Sequence, residues 1–145
     1  MMGRRLLLDV NVWLALFDDA HPYSPPAHAL LARQPLIALC PLTENGTLRI
    51  MNSPRYSRLG PVGFERVRQS LRAVCTDLDH RFWPDDISLR ADDVLDFTRI
   101  SGHNQLTDAY LLALAVKHGG ALATFDQRIT LHAVRGATPN HLLVL

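Results

Sequence analysis

The chain alternates short, unbroken apolar runs with longer stretches in which apolar residues recur three and four positions apart. Arg5-Leu6-Leu7-Leu8-Asp9-Val10 is the first short run. Apolar at consecutive positions and closed by a carboxylate, it predicts a strand buried on both faces, with the acid at its carboxyl end. Leu36 to Cys40, Ala121 to Thr124 and His141 to Leu145 read as further strands, and Phe82-Trp83-Pro84 as a short extended piece. Between them the spacing predicts a short helix or turn over Val12 to Phe17 and helices over Ser24 to about Gln34, Pro41 to Met51, Gly60 to Val74, Ser88 to Ile100 and Asp108 to His118. Boundary residues support most of these: Ser24 before Pro25 suits a helix start, Pro35 a stop, and Thr107 a cap ahead of Asp108. The last helix is apolar nearly all round, which predicts a central position, and Gly119-Gly120 ends it. Strands alternating with helices imply an α/β fold of three layers, a central, mostly parallel sheet flanked by helices. Such sheets place their sites outside the carboxyl ends of the strands, at a switch point in strand order. Asp9 and Asp126 both emerge there.

At 145 residues the chain is expected to form one domain, and 48% hydrophobic with 20% charged residues argues against disorder. A net charge of +1 announces no overall field, but the charges are unevenly placed. Residues 49–72 carry six arginines (49, 55, 58, 66, 68 and 72) against Glu65 alone, while residues 77–96 carry seven aspartates. The basic stretch is either a solvated face or a track for a phosphate backbone. Tyr56 and Phe64 lie within it as candidate stacking residues, although core packing is the plainer role for Phe64, as it is for Trp13 and Trp83. Cys40 and Cys75 lack metal or redox spacing, and the seven histidines form no HxxxH pair, which argues against zinc. Arg4-Arg5 followed by leucines imitates a secretory leader, yet Asp9 interrupts the apolar run and no small-residue cleavage site follows cleanly. No run of about 18 apolar residues is present, so no membrane association and a cytoplasmic location are expected.

Four acids interrupt apolar or helix-forming sequence: Asp9, Glu44, Asp108 and Asp126. Each alone has an ordinary explanation, as a turn former or as an acid offsetting the dipole of a helix's first turn. Together they are expected at one rim, where four carboxylates repel one another unless protonated or met by a cation. Magnesium or manganese suits such oxygen ligands and could activate water against a phosphodiester. No serine–histidine–acid trio, activated cysteine or glycine-rich phosphate loop competes.

LLLDVNVWLALF, then Glu44 opening a helix, then NQLTDAYLLALAVKHGGALATFD resembles the PIN-domain ribonucleases, specifically the VapC-type toxins of bacterial toxin–antitoxin pairs. The resemblance spans Leu6 to Asp126. It implies a PIN-like fold, an endoribonuclease that binds Mg2+ or Mn2+, and a catalytic set of Asp9, Glu44, Asp108 and Asp126, with Asp9, Asp108 and Asp126 on the metal. It also implies supporting roles for Asn11 and Thr124, a cognate VapB-type antitoxin, an RNA substrate, and assembly as a homodimer and a toxin–antitoxin hetero-oligomer. Gln127-Arg128-Ile129 lacks the further acid that some relatives carry. Tyr23 and Leu30-Leu31 are candidate antitoxin contacts, and His103 and Asn104 either touch substrate or cap a loop. Three other readings stay open: a phosphatase-like enzyme with Asp9 as nucleophile, a nuclease acting on DNA, and a non-catalytic RNA-binding module.

Overall fold

The computed structural model describes residues 3–56 and 60–145. Five strands form one sheet: β1 (Leu6–Leu8), β2 (Ile37–Leu39), β3 (His80–Phe82), β4 (Ala121–Thr124) and β5 (Leu142–Val144). Their spatial order is β3-β2-β1-β4-β5 and every pairing is parallel. Five α-helices connect them: α1 (Val10–Phe17), α2 (Ser24–Ala32), α3 (Pro41–Met51), α4 (Phe64–Asp77) and α5 (Asn104–Lys117).

Consecutive strand residues point to opposite faces, and the apolar runs supply both sides. Leu6 and Leu8 of β1, Ile37 and Leu39 of β2, and Ala121 and Ala123 of β4 meet α1, α2 and α4 on one face. Leu7, Ala38 and Leu122 face the other way, against α5. Helix α5 is buried from Ala109 through Ala115, as its near-continuous apolar sequence requires. Two core clusters back to back give the three layers expected from the sequence.

The helix expected over Ser88 to Ile100 does not form. Its place is taken by turns and a single 3-10 turn at Phe97–Arg99. The backbone there pairs elsewhere: Asp96 N donates to the Ala133 carbonyl at 2.9 Å, and Arg135 N donates to the Val94 carbonyl at 3.0 Å. The Asp96 carboxylate also accepts from Thr98 N, a local bond that competes with helical turns. Smaller departures have local causes. Ser24 is the first residue of α2 rather than its cap, and Gln34 leaves the helix at φ 55°. Gly63, at φ 105°, delays α4 to Phe64, and it then runs on to Asp77. Strand β3 is His80–Phe82, two residues earlier than the expected extended piece.

Two glycines set close approaches that position the site. A side chain on Gly120 would overlap the Arg5 carbonyl oxygen, so only glycine lets α5 turn into β4 alongside β1. A Cβ on Gly46 would stand 2.8 Å from Val10 Cγ2, so α3 crosses the start of α1 at backbone distance, beside Asp9.

Candidate active site

Strand order reverses between β1 and β4, the pair whose carboxyl ends carry Asp9 and the Thr124-Phe125-Asp126 turn. Asp9 is the N-cap of α1 and is buried, with 6% exposure. Its Oδ1 accepts from Val10 N at 2.7 Å, and its Oδ2 accepts from Thr124 Oγ1 at 3.0 Å. The Thr124 oxygen accepts in turn from Asp126 N at 3.1 Å, so one hydroxyl ties the first acid to the backbone of the last. Burial raises the Asp9 carboxyl above the usual range, and the Asp126 charge adds to it; the bonds from Thr124 and Val10 oppose this.

Asp108 lies farther along α5 than the sequence suggested. The helix begins at Asn104, after His103, without a side-chain cap, so Thr107 is helical and Asp108 falls in the second turn. The dipole explanation for this acid therefore weakens, because that effect fades beyond the first turn. Its carboxyl is pushed up to about 6 by burial, then by the charges of Asp9 and Asp126, with Arg128 pulling it down. Three of the four expected acids thus stand within reach of one another's charge.

Glu44 sits in the first turn of α3, where Thr43 Oγ1 accepts from Cys40 N at 3.2 Å and donates to the Cys40 carbonyl at 3.0 Å. Burial raises its carboxyl, and the neighbouring charge that adds to the rise is that of Asp85, just beyond β3. The same aspartate raises the Cys40 thiol, after burial, and contributes to holding the Tyr110 phenol up at about 12, where burial again leads. Asp85 was missed in the sequence because it lies in an irregular segment where six other aspartates within twenty residues offer no periodicity to single it out.

Two supporting expectations diverge. Thr124 bonds Asp9 as described, whereas Asn11 is exposed on α1 and makes no hydrogen bond to Asp9. An N-cap points its carboxylate back at its own helix, which leaves the residue two positions on facing solvent. The described arginine whose charge acts on Asp108 is Arg128, outside the expected basic segment. Arg68 pairs with Glu65 at 2.8 Å on α4, and Arg58 lies outside the described residues. The guanidinium beside the acids belongs to Arg128, whose Nε stands 3.3 Å from Asp126 Oδ1. Tyr56 spends its hydroxyl on Asp18 at 2.7 Å, while Phe64 is 65% exposed rather than packed. Tyr23 stacks on Phe125 at 4.6 Å between ring centroids, next to Asp126.

A hard divalent cation fits the chemistry of Asp9, Asp108 and Asp126: carboxylate oxygens only, crowded enough to disfavour full ionisation. The fit is not yet a cage. Among the described residues no three acidic, histidine or cysteine side chains already stand in ligating arrangement. The contacts of Asp126 with Arg128 all fall on Oδ1, which leaves Oδ2 for a cation.

Known proteins bear on this geometry. Residues 6–135 match the family described as PIN domain. The chain is 42% identical over 143 residues to Ribonuclease VapC44 of Mycobacterium tuberculosis, covering 97% of this chain and 99% of that one. It is 40% identical over 144 residues to Ribonuclease VapC38 of the same organism, covering 96% and 98%. Two solved structures share the fold at 15% identity. One is the VapBC2 complex of Rickettsia felis bound to a DNA fragment from its promoter, with TM-score 0.55 and 96% of each chain covered. The other is Mycobacterium tuberculosis VapC20, a toxin that cleaves the sarcin–ricin loop, with TM-score 0.56 and coverage of 89% and 98%.

Proposed function

Because the chain belongs to the PIN-domain family, we propose that it is a metal-dependent endoribonuclease acting as the toxin of a type II toxin–antitoxin pair. The observation that carries this reading is the Asp108 carboxyl, held near 6 by its burial and by Asp9 and Asp126. Such mutual repulsion is costly for a fold unless the charges are used. That VapC44 and VapC38, similar to it over nearly their whole length, are named ribonucleases supports the choice of reaction.

In this reading Asp9, Asp108 and Asp126 hold Mg2+ or Mn2+. A bound divalent ion supplies an activated water and neutralises charge on the phosphodiester under attack. Thr124 fixes the Asp9 Oδ2 lone pair and the Asp126 backbone together, so two metal-binding side chains are oriented by one hydroxyl. Glu44, its carboxyl raised by burial and by the Asp85 charge, is suited to holding or exchanging a proton at Oε. A VapB-type antitoxin restrains the toxin, its basic side chains being complementary to the acidic rim. Homodimerisation and a cytoplasmic location, where RNA is found, complete the reading. Among the described residues no helix is long and apolar enough to cross a membrane.

The phosphatase-like alternative is disfavoured by Asp9 itself: both carboxylate oxygens already accept hydrogen bonds and the group is buried, which suits a ligand better than a nucleophile.

The deciding experiment digests matched RNA and DNA oligonucleotides with Mg2+, with Mn2+ and with a chelator, using the parent and Asp108→Asn. Cleavage of RNA alone, lost with chelator and in the variant, is expected. Equal cleavage by parent and variant overturns the assignment. Failure of Mn2+ to stabilise the parent against heat would favour a non-catalytic module.

A further inference from the structure

Beside two of the acids, between the start of α5 and the segment after β4, opens a cavity of about 270 Å³. That is near the lower end of the range for ligand sites, about 300 Å³. Asp108 and Asp126 form one wall. Four apolar residues, Ile100, Ala109, Ile129 and Ala133, share the lining with polar and charged side chains. Polar groups converge at the edge: the Asn104 amide and the Thr130 hydroxyl line it and make no side-chain hydrogen bond among the described residues.

Two arginines border the same space, Arg99 and Arg128. Each is anchored through Nε: Arg99 to Asp96 Oδ2 at 3.2 Å and Arg128 to Asp126 Oδ1 at 3.3 Å. Each pairing leaves the terminal guanidinium nitrogens to donate elsewhere, and phosphate oxygens match that fork. A slot that offers apolar contacts, neutral hydrogen-bonding groups and two arginines beside carboxylates matches one nucleotide, with its base against the apolar residues and its phosphates at the arginines. Among the described residues, none of the arginines of residues 49–72 lines it.

Resting on the ribonuclease reading above, we propose that this cavity receives one unpaired ribonucleotide of the substrate strand. The base lies against Ile100 and Ile129, its edge is read by Asn104 and Thr130, and the adjoining phosphates meet Arg99 and Arg128. A base held in a duplex cannot enter such a slot, so the substrate is single-stranded or looped at this position. Sequence preference then arises at a single nucleotide next to the cut.

Gly102 offers a clean test, since it lines the cavity and a Cβ added there meets nothing within 4 Å. Gly102→Trp fills the slot from an exposed loop without disturbing the core. The 5′-monophosphates of adenosine, guanosine, cytidine and uridine are titrated into the full chain in chelator, following backbone amide resonances. At least one is expected to shift Gly102, Ile129 and Thr130 saturably, with affinity falling at least tenfold in Gly102→Trp and several-fold in Arg128→Ala. On a randomised RNA pool, the parent's preference at one position beside the cut is expected to flatten in Gly102→Trp, with KM raised more than kcat is lowered. Mononucleotides that shift none of these amides, or bind parent and Gly102→Trp alike, overturn the proposal. Binding at the slot by a chain that cuts no RNA keeps the nucleotide site and removes the ribonuclease reading. RNA cleavage with an unchanged preference in Gly102→Trp does the reverse.

Discussion

The carboxyl edge of the sheet has two halves with different chemistry. Across β1 and β4, Asp9, Asp108 and Asp126 act on one another's ionisation, one hydroxyl ties two of them together, and Arg128 stands alongside. Across β2 and β3, Glu44 answers to Asp85, amid a buried thiol and a phenol that both resist ionisation. Both halves lie over the same parallel sheet, so topology alone does not make the first one a site. What separates them is three mutually acting carboxylates at the switch point, against a pair of acids beside a thiol and a phenol next door. The four acids singled out by sequence are therefore unequal: three form an electrostatic unit, and the fourth belongs first to a pair that sequence did not show.

That contrast can be broken most directly by charge removal. Asp9→Asn or Asp108→Asn is expected to lower RNA cleavage by about 100- to 1,000-fold, the scale of losing one electrostatic group in an active site. Asp85→Asn, on the other half, is expected to stay near the parent rate. Comparable losses from all three would merge the halves into one site. Packing comes next. Gly46→Ala places a methyl against Val10 and is expected to cost about 1–3 kcal/mol in chemical denaturation, because a stiff β-branched side chain must yield. Cleavage should fall as well, since α3 and Asp9 are displaced relative to each other. Thr124→Val leaves Asp9 Oδ2 without its donor inside the protein. A loss of stability of about 1–3 kcal/mol is expected, accompanied by weaker Mn2+ binding in calorimetry.

The pH dependence is subtler. Folding lifts Asp108 from its ordinary 3.8 to about 6, so the folded chain holds more protons than the unfolded one between those values. Its contribution to stability thus falls as pH rises through that window and stays low above it. In chelator, Asp108→Asn should melt higher than the parent above pH 6, and the difference should vanish below pH 4. A difference independent of pH would detach Asp108 from its charged neighbours. Smallest of all, Asp85→Asn is expected to lower the Glu44 carboxyl pKa, visible in its side-chain carbon resonance, while leaving Asp108 in place.

Much of this architecture was legible because burial on both faces writes itself as consecutive apolar residues. Leu6-Leu7-Leu8 and Ala121-Leu122-Ala123 could be little else, and a carboxylate closing such a run stands out. Irregular structure left no such mark. Residues 88–100 carry apolar positions that imitate a helix, yet they pack beneath Val134 through backbone pairing set by residues distant in the chain. The same gap hid Asp85 and the Arg99 and Arg128 border of the cavity, since loop residues gain their meaning from what folds beside them. Asn11 failed for a different reason. The family resemblance implies a supporting role for it, but a helix turns successive side chains about 100° apart, and the cap leaves it outward.

Trp13, one turn into the helix that Asp9 caps, has no exposed surface, and its indole Nε1 finds no hydrogen-bond partner among the described residues. A tryptophan in so dry a surrounding emits at the blue end of its fluorescence range, whereas Trp83, stacked on His118 at 4.7 Å, sits against a ring that quenches it once protonated. The protein therefore carries its own optical gauge: the colour of Trp13 reports whether the helix behind Asp9 is seated, without any label attached.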